Sequence, residues 1–447
     1  MTTLLVAAVV LLALLGMPLF AAMAGGAMVG FRTTETPLIS TAIEIFRLAA
    51  QPTMITIPLF TFAGYLMAEA RTASRIVRVS RALLGWLPGG LAVVTLAACA
   101  FFTTFTGASG VTIIAIGGLL YPVLEKEGYP ERFNLGLITS SGSIGLLFPP
   151  SLPMIIYGIV YGLSQSPELA MAGAFEIDKF FLAGIAPGLV LVGTLSLFSV
   201  MTGIKHNVPR TAFAWGELGA ALWEAKWEVP IPVFLLVMIF KGWITVGEAA
   251  AVTALYVLVV ECFIYRDLKL FGDVPRVARE AMILVGAIFV IICAAMCLTA
   301  FFIEADVPGR LYALLDRYID QRWSFLLVLN IFLLIVGCLM DIFSAILVVV
   351  PLITVSAQHF GVDPYHLGII FLVNLEIGYL TPPFGMNLFI ASFRFQKPLV
   401  TLVRAVLPFM GLMILVLVVV TYIPWLTVGL LAIIAKIFLG KAASAAP

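Results

Sequence analysis

Charge is what this chain has least of. Lys, Arg, Asp and Glu together make up 11% of its 447 residues, against 62% hydrophobic, and the mean hydropathy is +1.14. A soluble fold of this size could not cover its surface with so few charges. The net charge of +1 argues against a nucleic-acid partner. Histidine occurs only three times (His206, His359, His366), in or beside loops, and there is no H-E-x-x-H pattern. The five cysteines (Cys99, Cys262, Cys293, Cys297, Cys338) lie in apolar sequence without metal-ligand spacing and read as small packing residues. No transition metal and no organic cofactor is therefore expected. The absence of a G-x-x-x-x-G-K-[ST] loop argues against ATP use by this chain.

What is abundant is apolar sequence long enough to cross a bilayer. Spans are expected near 3–24, 53–70, 133–163, 180–203, 229–241, 246–264, 280–303, 366–393 and 405–422. At the end of the run Leu4 to Met23, Ala21-Ala22-Met23-Ala24 faintly resembles a signal cleavage site, but no Lys or Arg precedes the run. It is taken as the first spanning helix. Two segments, Thr36 to Gln51 and Val307 to Trp323, mix charge with apolar residues and read as interfacial helices bracing the scaffold. The second could alternatively present a partner-binding surface.

Two of the spans cannot be continuous helices. Pro149-Pro150 interrupts 133–163, and Pro382-Pro383 interrupts 366–393. A proline pair removes two backbone donors and collides with the preceding turn. Two further apolar regions, about 88–124 and 324–357, are interrupted in the middle, by Thr103 to Gly110 and by Gly337 to Ser344. These read as re-entrant hairpins with tips at mid-membrane. Each hairpin precedes a broken helix, with the spacing from Pro130 to Pro149 nearly repeated from Pro364 to Pro382.

The loops 71–81, 125–132, 204–228, 265–280 and 393–404 carry 16 of the 25 Lys and Arg residues, which places them in the cytoplasm. The two halves then have opposite orientation. The expected fold is an all-α polytopic membrane protein built as an inverted repeat of the ion-transporter type. Its divisions are scaffold 1–87, transport element 88–163, scaffold 164–323, transport element 324–393 and a C-terminal scaffold helix and tail 394–447.

Hairpin tips and helix breaks offer unwound carbonyls, hydroxyls and free amides, which suit a hard cation and an organic anion together. One sodium site is expected from Thr106, Gly107 and Ser109 with Ser141, Gly142 and Gly145. A second is expected from Asp341 and Ser344 with Gly378, Thr381 and Gly385. Substrate contacts are expected at Ser109, Pro149, Pro150, Pro382, Pro383 and Asn387. Asp341 stands out, because an ionisable group within an apolar stretch is costly; capping the following half-helix is its other possible role. Glu376 raises the same question. For single residues the plainer roles are a hydroxyl bonded to its own helix and a glycine allowing close packing.

Gly107-Ala108-Ser109-Gly110 also matches the G-x-S-G pattern of rhomboid intramembrane proteases. A serine nucleophile needs a base, and no histidine lies within a span, so a hydrolase is not expected.

The segments CAFFTTFTGASGVTIIAIGGLLYP, KEGYPERFNLGLITSSGSIGLLFPPSLPMIIYG and GVDPYHLGIIFLVNLEIGYLTPPFGMNLFIAS, with VLPFMGLMILVLVVVTYIPWL near the end, resemble the large membrane subunit of TRAP (tripartite ATP-independent periplasmic) transporters. The resemblance covers nearly the whole length. It implies a sodium-driven importer of organic acids in a bacterial inner membrane, working by an elevator motion. It also implies two partners, a periplasmic substrate-binding protein and a small membrane subunit of about four helices, expected as a separate polypeptide. Many members carry a Ser-Gly-Ser hairpin tip where this chain has Thr106-Gly107-Ala108-Ser109. A stand-alone sodium–dicarboxylate symporter of related fold is the alternative within transport. C4-dicarboxylates, sialic acids, other sugar acids, keto acids and sulfonates all suit the carrier.

Overall fold

The computed structural model describes residues 11, 16–34, 36–37, 39–49, 51–164, 175–210, 212–319, 321–429 and 431. Among these residues all regular structure is helical and there is no strand. Seven of the described helices are long and apolar enough to cross a membrane: Ser109–Lys126, Ile177–Lys205, Val246–Ile264, Asp273–Glu304, Arg322–Leu339, Ile342–His359 and Leu399–Tyr422. The protein is a multi-pass membrane protein.

Both proline-pair breaks are present. The first broken segment runs as Glu131–Ser141, a tight turn Ile144–Leu147, and Leu152–Ser164, with a bend of 46° between its parts. The second runs as Pro364–Gly378 and Met386–Phe395, separated by the non-helical stretch around Pro382-Pro383. Both interrupted regions are helix pairs, Gly90–Thr106 with Ser109–Lys126 and Arg322–Leu339 with Ile342–His359. Each pair returns to where it began. Arg81 before the first pair meets Glu127 after it at 3.3 Å, and Phe325 at the start of the second stacks on Phe360 at its end, 4.6 Å apart. Three of these four helices have 18 residues, about 27 Å at 1.5 Å per residue, so length does not mark them as too short to cross.

Ion pairs gather all five of the Lys/Arg-rich loops on one face. Besides Arg81–Glu127, Arg75 meets Asp267 at 2.7 Å, Arg78 meets Glu217 at 2.9 Å, and Lys397 meets Glu131 at 2.5 Å. The layout read from charge bias requires this convergence.

The two halves are interlocked. Ser109–Lys126 of the first hairpin packs along Met386–Phe395 of the second broken segment. Ile342–His359 of the second hairpin packs along Leu152–Ser164 of the first. The second helix of each hairpin thus packs on the broken segment of the other half.

Several expectations change. Residues 1–10 and 12–15 of the span at 3–24 lie outside the described residues; the described helix is Leu19–Thr33, started by Pro18, so no helix runs unbroken through 16–18. The run 229–241 is not a span: Ile231–Phe240 has ten residues, about 15 Å, half of a hydrocarbon core. The loop 71–81 is instead a helix, Thr72–Leu84, set at 74° to the one before it. The loop 204–228 contains a helix, Trp215–Glu224. The interfacial helix expected over Val307–Trp323 ends at Asp316, and Trp323 belongs to the next helix. Thr36–Gln51 contains the helix Ile39–Ala49, with Ile39, Ile43 and Phe46 exposed.

Candidate functional site

The two hairpins turn by different devices. At the first tip Gly107 sits at φ +61° and its N–H bonds Thr103 O at 2.8 Å, closing the helix in the left-handed conformation glycine adopts without strain. At the second, Asp341 is extended and its carboxylate accepts from Phe343 N at 3.0 Å and Ser344 N at 3.1 Å, an N-cap. The Ser344 hydroxyl also donates to Asp341. The capping role of Asp341 is thus occupied, while its charge stays partly exposed.

Each tip is pressed against the break of its own half through a glycine four residues before the proline pair. A Cβ on Gly145 would fall 2.3 Å from Ala100 O and 2.5 Å from Thr103 Cβ. A Cβ on Gly378 would fall 2.4 Å from the carbonyl carbon of Gly337. Hydrogen bonds reinforce the first contact: Thr103 Oγ1 donates to Gly142 O at 2.9 Å or to Thr112 Oγ1 at 2.7 Å, and Thr104 Oγ1 lies 3.3 Å from Gly145 O. At the second, Ile342 N donates to the Tyr379 hydroxyl at 2.8 Å. Gly385 is buried, and its N–H donates to Thr381 O at 3.0 Å.

The halves meet at one bond. Ser109 Oγ donates to Asn387 Oδ1 at 2.7 Å, with Ser109 5% exposed and Asn387 fully buried. Ser109 begins the helix Ser109–Lys126, and Asn387 is the second residue of Met386–Phe395. Neither helix has a side-chain cap among the described residues, so two N-termini with positive dipole ends converge there, the amides of Asn387 and Leu388 being bonded to Tyr379 O at 3.2 Å and Gly385 O at 3.0 Å. Asn387 Nδ2 reaches Thr139 O at 3.4 Å in the first broken segment.

The expected residues divide accordingly. Thr106, Gly107, Ser109, Ser141, Gly142 and Gly145 are all buried at the junction of tip and break. The Thr106 hydroxyl has no hydrogen-bond partner among the described residues. Ser141 and Thr381 bond back to their own helices, at Ile138 O (3.2 Å) and Ile377 O (2.9 Å). Pro149 and Pro150 are buried, whereas Pro382 and Pro383 are exposed, so the two breaks differ in access to solvent. The expected residues at both tips offer carbonyl, hydroxyl and carboxylate oxygens, which are hard donors.

Sequence reading passed over Thr103, Thr104, Thr112 and Tyr379. The first two lay in the quoted interruption; nothing local marks the Tyr379 hydroxyl as the acceptor of a tip amide. Glu376 is fully buried with both carboxyl oxygens unpartnered among the described residues, as are the hydroxyls of Ser140, Ser143 and Ser151. Ser109 faces an asparagine rather than a histidine. His366 is bonded instead to Thr427 Oγ1 at 2.9 Å and Thr421 O at 3.1 Å.

Residues 4–426 match the family described as tripartite ATP-independent periplasmic transporter, DctM component. The chain is 33% identical over 392 residues to the C4-dicarboxylate TRAP transporter large permease protein DctM of Pseudomonas aeruginosa, covering 88% of this chain and 89% of that one. It is 30% identical over 419 residues to the ectoine TRAP transporter large permease protein TeaC of Halomonas elongata, covering 93% and 95%. Among solved structures, the Alcanivorax borkumensis YdaH transporter shares the fold, with a TM-score of 0.62 over 88% of each chain at 13% identity. The seven apolar spans, the paired breaks and these matches agree: the chain belongs to the DctM family of TRAP transporters, as a large permease subunit.

Proposed function

We propose that this chain carries a small organic anion across the bacterial inner membrane in symport with sodium. The observation that carries the reading is the convergence of two uncapped helix N-termini, one from each half, at the Ser109–Asn387 bond. A carboxylate placed there would meet two positive dipole ends and two neutral hydrogen-bonding side chains. Sodium would bind beside it, at Thr106, Gly107, Ser109, Ser141, Gly142 and Gly145 on one side, and at Asp341, Ser344, Gly378, Thr381 and Gly385 on the other. The unpartnered Thr106 hydroxyl supports the first group. Binding both ions at one junction couples them, because each cation offsets the charge of the anion in a low-dielectric site.

In this reading the hairpins are re-entrant and move with the broken segments as an elevator against the remaining helices. A periplasmic binding protein delivers the substrate, and a small membrane subunit of about four helices completes the assembly. The test is uptake into proteoliposomes holding all three proteins, with a panel of radiolabelled carboxylic, sugar and sulfonic acids, with and without an inward sodium gradient. Uptake of one acid that needs both the gradient and the binding protein is expected. Uptake indifferent to sodium would refute the symport reading.

A further inference from the structure

Away from the central junction, one buried cluster of ionisable groups has no role in the scheme above. Arg75, 6% exposed, holds three carboxylates: Nε lies 2.9 Å from Glu228 Oε2, Nη2 lies 3.0 Å from Glu261 Oε2, and Nη1 lies 2.7 Å from Asp267 Oδ2. Glu228 and Glu261 are each 1% exposed and Asp267 12%. The Tyr265 ring covers the guanidinium at 3.9 Å. One cation faces three acids, and a buried carboxylate without compensation is costly.

Among the described residues, the other neighbours do not supply the missing charge. Arg71 contributes only its backbone N–H, to Asp267 Oδ2 at 3.1 Å. Tyr256 and Tyr265 donate their hydroxyls to the carbonyls of Trp227 and Glu224. Lys226 lies over the Trp223 ring at 3.6 Å, Glu69 pairs with Arg276 at the surface, and Asp273 accepts from Lys269 N at 2.8 Å.

The hydrogens fail to balance too if all three acids are ionised. Thr72 Oγ1 lies 2.7 Å from Glu228 Oε1 and 3.2 Å from Glu261 Oε1, yet a hydroxyl has one hydrogen to give. The two carboxyls also meet at one nitrogen, with Arg75 Nη2 2.5 Å from Glu228 Oε1 and 3.0 Å from Glu261 Oε2, so like charges would crowd both the hydroxyl and the guanidinium unless one acid carries a proton.

We propose that Glu228 and Glu261 share one proton, and that this pair, gripped by Arg75 and Thr72, is a pH-sensitive fastening on the helix that leads into the first hairpin. Thr72 and Arg75 stand in the first turn of Thr72–Leu84, the helix that leads into Gly90–Thr106. Glu228 follows Trp215–Glu224, Glu261 lies in the π-helical turn Val260–Ile264, and Asp267 comes just after it. The cluster therefore ties the start of the helix before the hairpin to two distant chain segments. With the proton present one acid donates to the Thr72 hydroxyl, which donates in turn to the other; without it, two like charges share one guanidinium and the fastening weakens.

The purified full chain in nanodiscs tests this without any substrate. Infrared difference spectra at neutral pH should show a protonated buried carboxyl that disappears in Glu261→Gln. The equilibrium for unfolding should rise with pH for the wild type, by up to roughly tenfold per pH unit, from the ordinary glutamate range upward for as long as the folded pair keeps a proton that the unfolded chain has released, and should level off once the folded pair loses it. Glu261→Gln places a permanent amide donor toward Glu228 and should flatten that dependence while folding normally. Arg75→Ala, which strands three acids, should be destabilised at every pH, with Arg75→Lys restoring part of the loss. A spectrum unchanged by both Glu261→Gln and Glu228→Gln, or a Glu261→Gln pH profile that overlays the wild type, would overturn the proposal.

Discussion

The contact between each hairpin tip and its break can be tested with a single methyl group. In Gly145→Ala the new Cβ would sit 2.3 Å from Ala100 O and 2.8 Å from Thr104 N; in Gly378→Ala it would sit 2.4 Å from the carbonyl carbon of Gly337 and 2.5 Å from its Cα. Ordinary contact needs about 3.4 Å or more, so backbone must move by about 1 Å in either case, since these neighbours have no torsion that swings them aside. Overpacking of this kind costs about 1–3 kcal/mol, a factor of roughly 5 to 150 in the folded population. Gly411 is the internal control. It lies inside Leu399–Tyr422, where an added methyl would meet no described atom within 4 Å, so Gly411→Ala should stabilise by about 0.5–1 kcal/mol through helix propensity. The tip variants and the control should thus differ by about 1.5–4 kcal/mol in equilibrium unfolding in mixed detergent micelles, with opposite signs. Uptake should fall in both tip variants and hold in the control. If all three unfold alike and transport alike, the tips are not seated on the breaks as described.

Three further outcomes follow from single side chains. Ser109→Ala and Asn387→Ala should each cost about 1–3 kcal/mol by leaving the partner buried and unsatisfied, and the double variant should cost less than their sum; additive losses would show that the bond between the halves is not formed. Asp341→Asn keeps an N-cap of equal quality, so unfolding should shift by less than about 0.5 kcal/mol, while sodium half-saturation of uptake should rise; unchanged sodium dependence removes Asp341 from the cation site. Glu376→Gln replaces a carboxyl that has no partner among the described residues by a neutral group of equal size, and stability should hold or increase. A loss beyond about 1 kcal/mol would reveal an ionised, compensated carboxylate instead.

The breaks were legible because proline acts locally: Pro149-Pro150 and Pro382-Pro383 stop a helix whatever surrounds them. The tips were legible for a similar reason, since Gly107 and Asp341 are punctuation within apolar runs. What stayed hidden depends on partners far away in the chain. Four arginines between 71 and 81 read as a solvated loop, yet Arg75 turns inward to acids 153 to 192 residues distant. The apolar run at 229–241 looked like a span, but Pro230 and Gly242 bound a helix of ten residues. Ser109 and Asn387 were each marked as site residues, yet their direct bond spans 278 positions and no local pattern encodes it.

That exchange of helices between halves also sets a schedule for biosynthesis. The second helix of the first hairpin begins at Ser109, but the surface that receives it, Met386–Phe395, is made 277 residues later. At about 5–20 residues per second the nascent chain waits roughly 14–55 s between the two. During that interval Gly110, Gly117 and Gly118, which accommodate Ile390, Phe395 and Arg394 in the finished protein, face lipid or an insertion chaperone. A ribosome halted before residue 386 should leave the first hairpin open to labelling that the completed chain excludes. The subunit is completed only at its end.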